Sequence, residues 1–245
     1  MIFIARRNYK LIFRGDDMSE REDILSLYSD LRVADVRDGM DWNLLHWKGS
    51  MSPDIRPLWR TRAVGIARTT RYLPYAGSIP RLTPEEYTEW QGWYYNNVCT
   101  YPWMDELEAG DFVVIDLSGV NVGLCGSNNS LAAWQKGVRG FISSDGVRDT
   151  DEIILQKIPF WSRYCSQSMV QGRIQFDARD IAVEVGGVIV TPGDVVVADG
   201  DGVIVVPREK AFEVAKYAHQ ELRNDKTGRR RMYEAEGRQL DESVR

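Results

Sequence analysis

The sequence is poor in the residues that build histidine and cysteine sites. Its 245 residues include only two histidines, His46 and His219, which excludes a metal site made of several histidines. The three cysteines, Cys99, Cys125 and Cys165, have no CxxC spacing, so a disulfide framework and a zinc knuckle are excluded and a reducing compartment is indicated. No basic residue or histidine is adjacent to them in sequence, so we expect no thiol catalysis.

Positive charge and long apolar runs are also scarce. Acidic residues outnumber basic residues, 36 to 31, whereas a nucleic-acid-binding protein needs a basic face. The one basic run, residues 229–231, has acidic neighbours and is expected on a solvated helix. No apolar run reaches the ~20 residues that a membrane span requires. We therefore expect a cytoplasmic globular protein that binds neither nucleic acid nor membrane.

The N-terminal segment differs from the rest of the chain. Residues 1–17 mix basic and apolar residues but lack the long apolar core and cleavage site of a signal peptide. Met18 is followed by the spacing of a capping box, which predicts a helix beginning at Ser19. We therefore expect Met18 to be the natural start of a single domain over residues 18–220, followed by a charged helix and tail over residues 221–245.

Helical and extended patterns alternate along the chain, and its last third is mostly extended. We expect helices over residues 33–40 and 128–136, and further helices that begin after a Thr83 cap, at Thr150 and at Glu209. A turn is expected at Asp145 and Gly146. The expected strands are residues 62–70, 112–118, 140–144, 160–165, 174–178, 181–190, 194–199 and 202–207. This order predicts one α/β domain with a β-rich second half.

The first candidate site is residues 125–130, between a strand and a helix. Gly126 lets the backbone approach a ligand closely. The free N–H groups and positive end of the helix favour an anion such as a carboxylate or phosphate. No Gly-Lys-Ser/Thr follows, so this is not a P-loop. The alternative is simple capping of the helix by Ser127 or Asn128.

The second candidate site is residues 145–152, which follow a strand with a buried pattern. Ligands of open α/β sheets bind at the carboxyl ends of strands. Arg148 can pair with a carboxylate or an enolate oxygen. Asp149 and Glu152, three residues apart at a helix start, could hold a hard divalent cation through oxygens and waters. The alternative is that Asp149 caps the helix and Arg148 forms a structural ion pair.

Several motifs in chain order resemble those of the RraA-like family, which includes the class II 4-hydroxy-4-methyl-2-oxoglutarate/4-carboxy-4-hydroxy-2-oxoadipate aldolases. The resemblance covers about residues 31–218 and implies an α-β-β-α sandwich with a swivelling β/β/α core. The motifs are ADVRDG (34–39), VGIART (64–69), GDFVVID (110–116), GFI (140–142), GVRD (146–149), GGVIVTPGD (186–194) and ADGDGVIVVP (198–207).

The resemblance also implies roles for the candidate residues. Arg148, Asp149 and Glu152 match the Arg-Asp-x-x-Glu/Asp motif of the family's aldolases, where the Asp contacts Mg²⁺ or Mn²⁺ and the Arg binds the pyruvyl group. Ser127 stands where those aldolases carry an acidic residue that positions a metal-bound water, so proton transfer would need another group, such as Asp116 or Asp145. The substrate carboxylate is expected on the backbone amides of Gly126, Ser127, Asn128 and Asn129.

The implied function is a divalent-metal-dependent lyase that cleaves a C–C bond of a 2-oxo acid through a metal-stabilised pyruvate enolate. The reaction would be aldol cleavage, oxaloacetate decarboxylation or both, in a homotrimer or homohexamer with active sites between subunits. One alternative is a protein-binding regulator like the family members that inhibit ribonuclease E. Those members lack the Asp after the motif Arg, so Asp149 argues for an enzyme. The other alternative is an enzyme of the same architecture with another substrate.

Aromatic residues are the unusual feature of the composition. Six of the eight tryptophans lie between Trp42 and Trp103. Within residues 73–110, where the family's aldolases have a plainer connection, the chain carries Trp90, Trp93 and Trp103. Rigid aromatic surface usually serves a subunit interface or a pocket wall. We expect this elaboration to form a subunit interface rather than a substrate contact.

Overall fold

The structure is a computed structural model that describes residues 15–245. The predicted extension over residues 1–17 lies mostly outside this range, and the expected start at Met18 stays a prediction. The helix predicted from Ser19 begins at Gly15 instead, so it includes four residues before Ser19. Local capping signals therefore misplaced this boundary by one helical turn.

The described elements follow the alternation expected from the sequence. Short 3-10 helices lie at Pro102–Glu106 and Arg208–Lys210. The other elements, in chain order, are α1 (Gly15–Tyr28), α2 (Val33–Trp42), β1 (Arg56–Pro57), β2 (Ala63–Pro74), α3 (Pro84–Asn97), β3 (Asp111–Asp116), α4 (Ser127–Gln135), β4 (Gly140–Val147), α5 (Thr150–Leu155), β5 (Phe160–Cys165), β6 (Ile174–Arg179), β7 (Val183–Val185), β8 (Val188–Val190), β9 (Val195–Asp199), β10 (Gly202–Val206) and α6 (Ala211–Ala235).

Eight strands form one sheet in the order β1-β5-β4-β3-β2-β9-β10, and β6 pairs with β2. Strands β2, β3, β4 and β5 are parallel to one another, so their carboxyl ends lie at the same edge. Helices α4 and α5 connect β3 to β4 and β4 to β5. This edge is where open α/β sheets bind ligands.

The chain before β1 nearly closes this sheet on itself. Ser50 forms a β-bridge with Ile204 of β10, at one end of the strand order. A few residues later, Arg56 of β1 pairs with Ser162 of β5, at the other end. One short segment therefore contacts both sides of the sheet, and the β7–β8 hairpin packs inside the curve.

The alternation of strand side chains produces the layers. In β3, Phe112 and Val114 belong to an inner cluster that includes residues of β9, β10 and the hairpin. Val113 and Ile115 point the other way, into the cluster that contains residues of α4 and α5. Helices α1, α2 and α6 cover the outer face of β9 and β10. The predicted α-β-β-α arrangement is confirmed. Among the described residues, no helix has the length and apolar character to cross a membrane.

A buried ion pair ties α1 to the sheet. Asp111, at the start of β3, is 1% exposed, and its Oδ1 accepts a hydrogen bond from Arg21 Nη2 at 2.7 Å. Its Oδ2 accepts from the backbone N–H of Glu108 at 2.9 Å and lies 3.5 Å from Arg68 Nε. Both oxygens of this carboxylate are thus engaged, as burial of a charge requires.

We expect Asp111→Asn to lower the free energy of unfolding by about 3–5 kcal/mol, because it leaves the buried Arg21 guanidinium without its counter-charge. The measurement is urea unfolding followed by circular dichroism. Asp105→Asn is the matched control, since Asp105 is 96% exposed and lies 3.9 Å from Lys136 Nζ. The control is expected to change stability by less than about 0.5 kcal/mol. Equal effects of the two variants would contradict a structural role for the buried pair.

Candidate functional site

The site lies where β4 ends. The turn predicted at Asp145 and Gly146 is wrong, since β4 continues through both residues to Val147. A register shift against β5 accommodates them, and Gly146 lies so close to the next loop that a Cβ there would be 2.7 Å from the Val122 carbonyl oxygen. Arg148 and Asp149 therefore follow the strand directly, at the carboxyl edge of the parallel strands.

Asp149 bridges two helices. Its backbone is left-handed, with φ of 57°, a conformation that costs a non-glycine residue free energy and often marks functional sites. It is the N-cap residue of α5, but its side chain makes no capping hydrogen bond there, so the capping part of the alternative interpretation is wrong. Instead Asp149 Oδ2 accepts a hydrogen bond from the backbone N–H of Ser127 at 3.2 Å and lies 3.5 Å from Ser127 Oγ. The two candidate segments thus form one site.

Arg148 extends over the loop that precedes α4. A Cβ on Gly123 would collide with the aliphatic part of the Arg148 side chain, so this glycine makes room for it. Arg148 Nε donates to Asp149 Oδ1 at 3.0 Å, which is the ion pair foreseen in the alternative interpretation. Within residues 15–245, its two terminal nitrogens have no hydrogen-bond partner. The two side chains are 35% and 33% exposed, so a ligand can reach them.

The N-terminus of α4 faces the Asp149 carboxylate. Its N-cap residue is Gly126, with no side-chain cap, so the expected capping by Ser127 or Asn128 is wrong. Gly126 is required because a Cβ there would collide with Asp149 Oδ2. Asn128 is exposed, whereas Asn129 Nδ2 donates to the Leu124 carbonyl at 3.4 Å. The positive end of the helix favours a negatively charged group, and in this structure the Asp149 carboxylate takes that place at the Ser127 amide.

The structure gives Glu152 no contact with the rest of this site. Glu152 is exposed in the first turn of α5, and its side chain has no hydrogen bond or ion pair within the described part of the chain. The described residues also contain no group of three His, Cys, Asp or Glu side chains that could hold a metal. A cation held by Asp149 and by Glu152 through water stays a prediction.

Two further carboxyl groups lie near the same edge of the sheet. Asp145 Oδ2 accepts hydrogen bonds from Ser144 Oγ at 2.6 Å and from the backbone N–H of Gly119 at 3.2 Å. Asp116 Oδ1 accepts from the backbone N–H of Ser118 at 2.8 Å. Burial raises the pKa of Asp116 above its ordinary value, although the Ser118 hydrogen bond acts in the opposite direction. Asp116 therefore holds a proton more readily than an exposed carboxyl group does.

Tyr101, which no sequence pattern indicated as a site residue, supports the site from behind. Tyr101 Oη donates a hydrogen bond to the Leu124 carbonyl, in the loop before α4, at 3.1 Å. Burial raises the pKa of Tyr101, so the hydroxyl keeps its proton and acts as the donor. The same loop is fixed by Gly123, whose N–H donates to the Ser168 carbonyl at 3.2 Å. Aromatic richness was the only sequence signal for this support.

We expect Tyr101→Phe to lower the free energy of unfolding by about 1 kcal/mol, the usual contribution of one hydrogen bond. Amide hydrogen exchange at Ser127 should become faster, because the loop before α4 loses an anchor. Tyr95→Phe is the control, since the Tyr95 hydroxyl has no hydrogen bond in the described residues. Unchanged exchange in Tyr101→Phe would show that this contact does not hold the loop.

The aromatic elaboration is largely internal. Trp103 is 1% exposed, and its Nε1 donates to the buried Tyr72 hydroxyl at 2.9 Å. The expected subunit interface is therefore wrong for Trp103, which packs in the core behind the site. Trp90 is half-buried and packs against the same cluster, whereas Trp93 is 48% exposed. Only Trp93 of these three presents a largely free indole surface.

Comparisons with known proteins agree with this architecture. An uncharacterized protein of Methanocaldococcus jannaschii, MJ0644, is 33% identical over 112 residues, which cover 44% of this chain and 52% of that protein. The 4-hydroxy-4-methyl-2-oxoglutarate aldolase of Thermus thermophilus is 31% identical over 109 residues, 42% of this chain and 63% of the aldolase. The chain thus spans between half and two thirds of these curated relatives.

A solved structure and a family model match a larger part of the chain than these two relatives do. Streptomyces coelicolor RraAS2, described as an unusual member of the RNase ES inhibitor RraA family, superposes with a TM-score of 0.67. That likeness covers 84% of this chain and 96% of RraAS2 at 23% sequence identity, and it shows the fold alone. The RraA-like family model, described as Aldolase/RraA, matches residues 33–205, which include every residue of the site. The chain therefore belongs to the RraA-like family.

Proposed function

We propose that this chain is a divalent-metal-dependent lyase that cleaves a C–C bond of a 2-oxo acid and releases pyruvate. The substrate would be of the 4-hydroxy-4-methyl-2-oxoglutarate type, oxaloacetate or both. The observation that carries the proposal is the contact of Asp149 with Arg148 on one side and with the Ser127 amide on the other. Arg148 and Asp149 match the aldolase motif, whereas Ser127 departs from it, and relatives named as aldolases share the family.

The polar groups of the site suit the carboxylate and ketone of a 2-oxo acid. The terminal nitrogens of Arg148 offer a planar pair of donors, the geometry that matches a carboxylate or an enolate oxygen. The N-terminus of α4 offers backbone amides to the other oxygens. Asp149 now accepts the Ser127 amide, so a substrate carboxylate that takes this amide would free Asp149 Oδ2 for a cation.

The residues of the site fit a Mg²⁺ or Mn²⁺ ion for which the bound substrate supplies some of the ligands. Asp149 is a hard oxygen ligand and is one third exposed. Mg²⁺ is usually held by one or two carboxylates, with waters and substrate oxygens completing its shell. Glu152 would act through such a water. When bound, the ion would supply Lewis acidity for the bond cleavage.

Charge stabilisation and proton transfer fall to different residues. Arg148 would hold its positive charge beside the oxygen that becomes negative when the C–C bond breaks. Ser127 cannot serve as the acid that the family's aldolases carry at this position, because its hydroxyl does not ionise at neutral pH. We assign the proton acceptor to one of the two buried carboxyl groups at the same edge, Asp116 or Asp145.

Metal removal tests the proposal directly. With Mg²⁺ or Mn²⁺, the purified protein is expected to release pyruvate from 4-hydroxy-4-methyl-2-oxoglutarate or from oxaloacetate, as measured with coupled lactate dehydrogenase. EDTA should abolish the release and excess metal should restore it. Absence of metal-dependent turnover, together with specific binding to ribonuclease E, would contradict the proposal in favour of a regulator. Turnover of a different oxo acid would correct the substrate.

The assembly and location are part of the same proposal. We place the protein in the cytoplasm as a homotrimer or homohexamer, as family membership suggests. Light scattering during size-exclusion chromatography measures the assembly, and a monomer at micromolar concentration would contradict it.

A further inference from the structure

A cavity lies at the opposite end of the sheet from Arg148. It has a volume of 340 Å³, within the range of small-ligand sites. Its walls include Ala63 at the start of β2, Arg139 just before β4 and Pro159 just before β5. The cavity therefore opens at the amino ends of the parallel strands, whereas the proposed lyase site lies at their carboxyl ends.

The two charged residues that line this cavity are arginines, Arg62 and Arg139, and none of its lining residues is acidic. Burial lowers the pKa of Arg62, although carboxylates outside the lining, Asp30 and Asp199 among them, act in the opposite direction. Arg139 is exposed, and its guanidinium has no hydrogen bond or ion pair with any residue that the structure describes. Arg62 Nη2 donates to the Ser29 carbonyl at 2.6 Å, which fixes that guanidinium at the wall. Two guanidinium groups that share a cavity without a carboxylate between them favour an oxyanion.

Apart from the two arginines and Ser29, the residues that line the cavity are apolar or aromatic. Trp134, near the end of α4, leaves 37% of its surface exposed, and Leu25 and Pro159 complete the apolar wall. An indole ring beside apolar side chains suits the face of a planar ring. Helix α4 has nine residues and is about 13 Å long, with Trp134 near one end and the Asp149 contact at the other. The two sites are therefore separate.

We propose that this cavity binds a small organic anion with a flat apolar body, its carboxylate or phosphate group held by Arg139 and Arg62 and its ring lying against Trp134. The inference goes beyond the proposed lyase activity and does not depend on it. Carboxylate and phosphate are both oxyanions that a pair of guanidinium groups recognises. Benzoate is the probe for a carboxylate ligand and phenyl phosphate the probe for a phosphate ligand. Benzamide is a neutral analogue of similar shape.

The test is ¹⁹F NMR of the full chain labelled with 5-fluorotryptophan, without added metal. The Trp134 signal is assigned by its loss in Trp134→Phe. Benzoate or phenyl phosphate is expected to shift this signal in a saturable manner, and benzamide should bind at least about 10-fold more weakly because it lacks the charge. The stronger of the two anions identifies the headgroup as carboxylate or phosphate.

Arginine variants test whether the anion binds in this cavity. Arg139→Gln is expected to weaken binding of the anion about 10-fold or more without loss of thermal stability, because Arg139 holds no other residue in place. Arg223→Gln, on the exposed surface of α6, and Arg148→Ala, at the lyase site, should leave the affinity unchanged. Equal affinity in Arg139→Gln and the wild type, or equal binding of benzamide and the anions, would overturn the proposal. Loss of binding in Arg148→Ala would also overturn it.

Discussion

Replacing Asp149 with alanine is expected to lower the rate of pyruvate release about 100-fold or more, the usual cost of removing one preorganised polar group from an active site. Asp149 holds Arg148 through Nε and contacts the amide at the start of α4, so its loss disturbs both the proposed cation site and the arginine. The measurement is the coupled pyruvate assay with saturating Mg²⁺ or Mn²⁺.

The control for this prediction is Asp151→Ala, two residues away and exposed in the first turn of α5. It removes the same charge from the same helix and is expected to keep nearly full activity. Because Asp149 is one third exposed, Asp149→Ala should change the free energy of unfolding by no more than about 1 kcal/mol. Equal turnover in Asp149→Ala and the wild type would refute the site assignment.

Replacing Trp103 with alanine is expected to lower the free energy of unfolding by about 3–5 kcal/mol, as for other large buried side chains. Trp103 is 1% exposed, and the variant also removes the hydrogen bond to the Tyr72 hydroxyl, which would then lie buried without this donor. Denaturant unfolding measures the effect. An unchanged dependence of the unfolding free energy on denaturant concentration would show that the surface exposed on unfolding is the same in the variant.

Trp93 provides the matched comparison, since it belongs to the same aromatic segment and is 48% exposed. Trp93→Ala is expected to cost less than about 1 kcal/mol. If this surface joins subunits, Trp93→Ala should instead weaken the oligomer, whereas Trp103→Ala should destabilise the chain itself. The reverse pattern would contradict the placement of Trp103 in the core.

The regular elements were largely predictable because their signals are local. Thr83 and Pro84 predicted the start of α3, and the structure confirms a capping box in which Thr83 and Glu86 bond reciprocally. Runs of valine and isoleucine predicted β9 and β10. The family motifs, read in order, also implied the sandwich arrangement that the strand pairing now shows.

The sequence-based predictions were wrong where contacts between distant segments determine the local structure or the burial of a side chain. Asp145 and Gly146 form a common turn pair, but close packing of Gly146 against Val122 keeps them in β4. Burial of Trp103 depends on Tyr72 and the sheet beneath it, which composition cannot show. The contact between Asp149 and Ser127 joins residues 22 apart in sequence. The local patterns of the two segments did not predict it, whereas the family resemblance had placed both segments at one substrate site.

Arg148, Asp149 and the start of α4 form the proposed binding site for a 2-oxo acid. A crystal structure of the protein with Mg²⁺ and oxalate, a rigid mimic of the pyruvate enolate, tests it most directly. We expect oxalate within hydrogen-bond distance of the Arg148 terminal nitrogens and of the first amides of α4, with Asp149 among the ligands of the ion. Oxalate bound elsewhere, or a site in which saturating oxalate leaves the Asp149–Ser127 contact intact and Arg148 without a ligand, would contradict it.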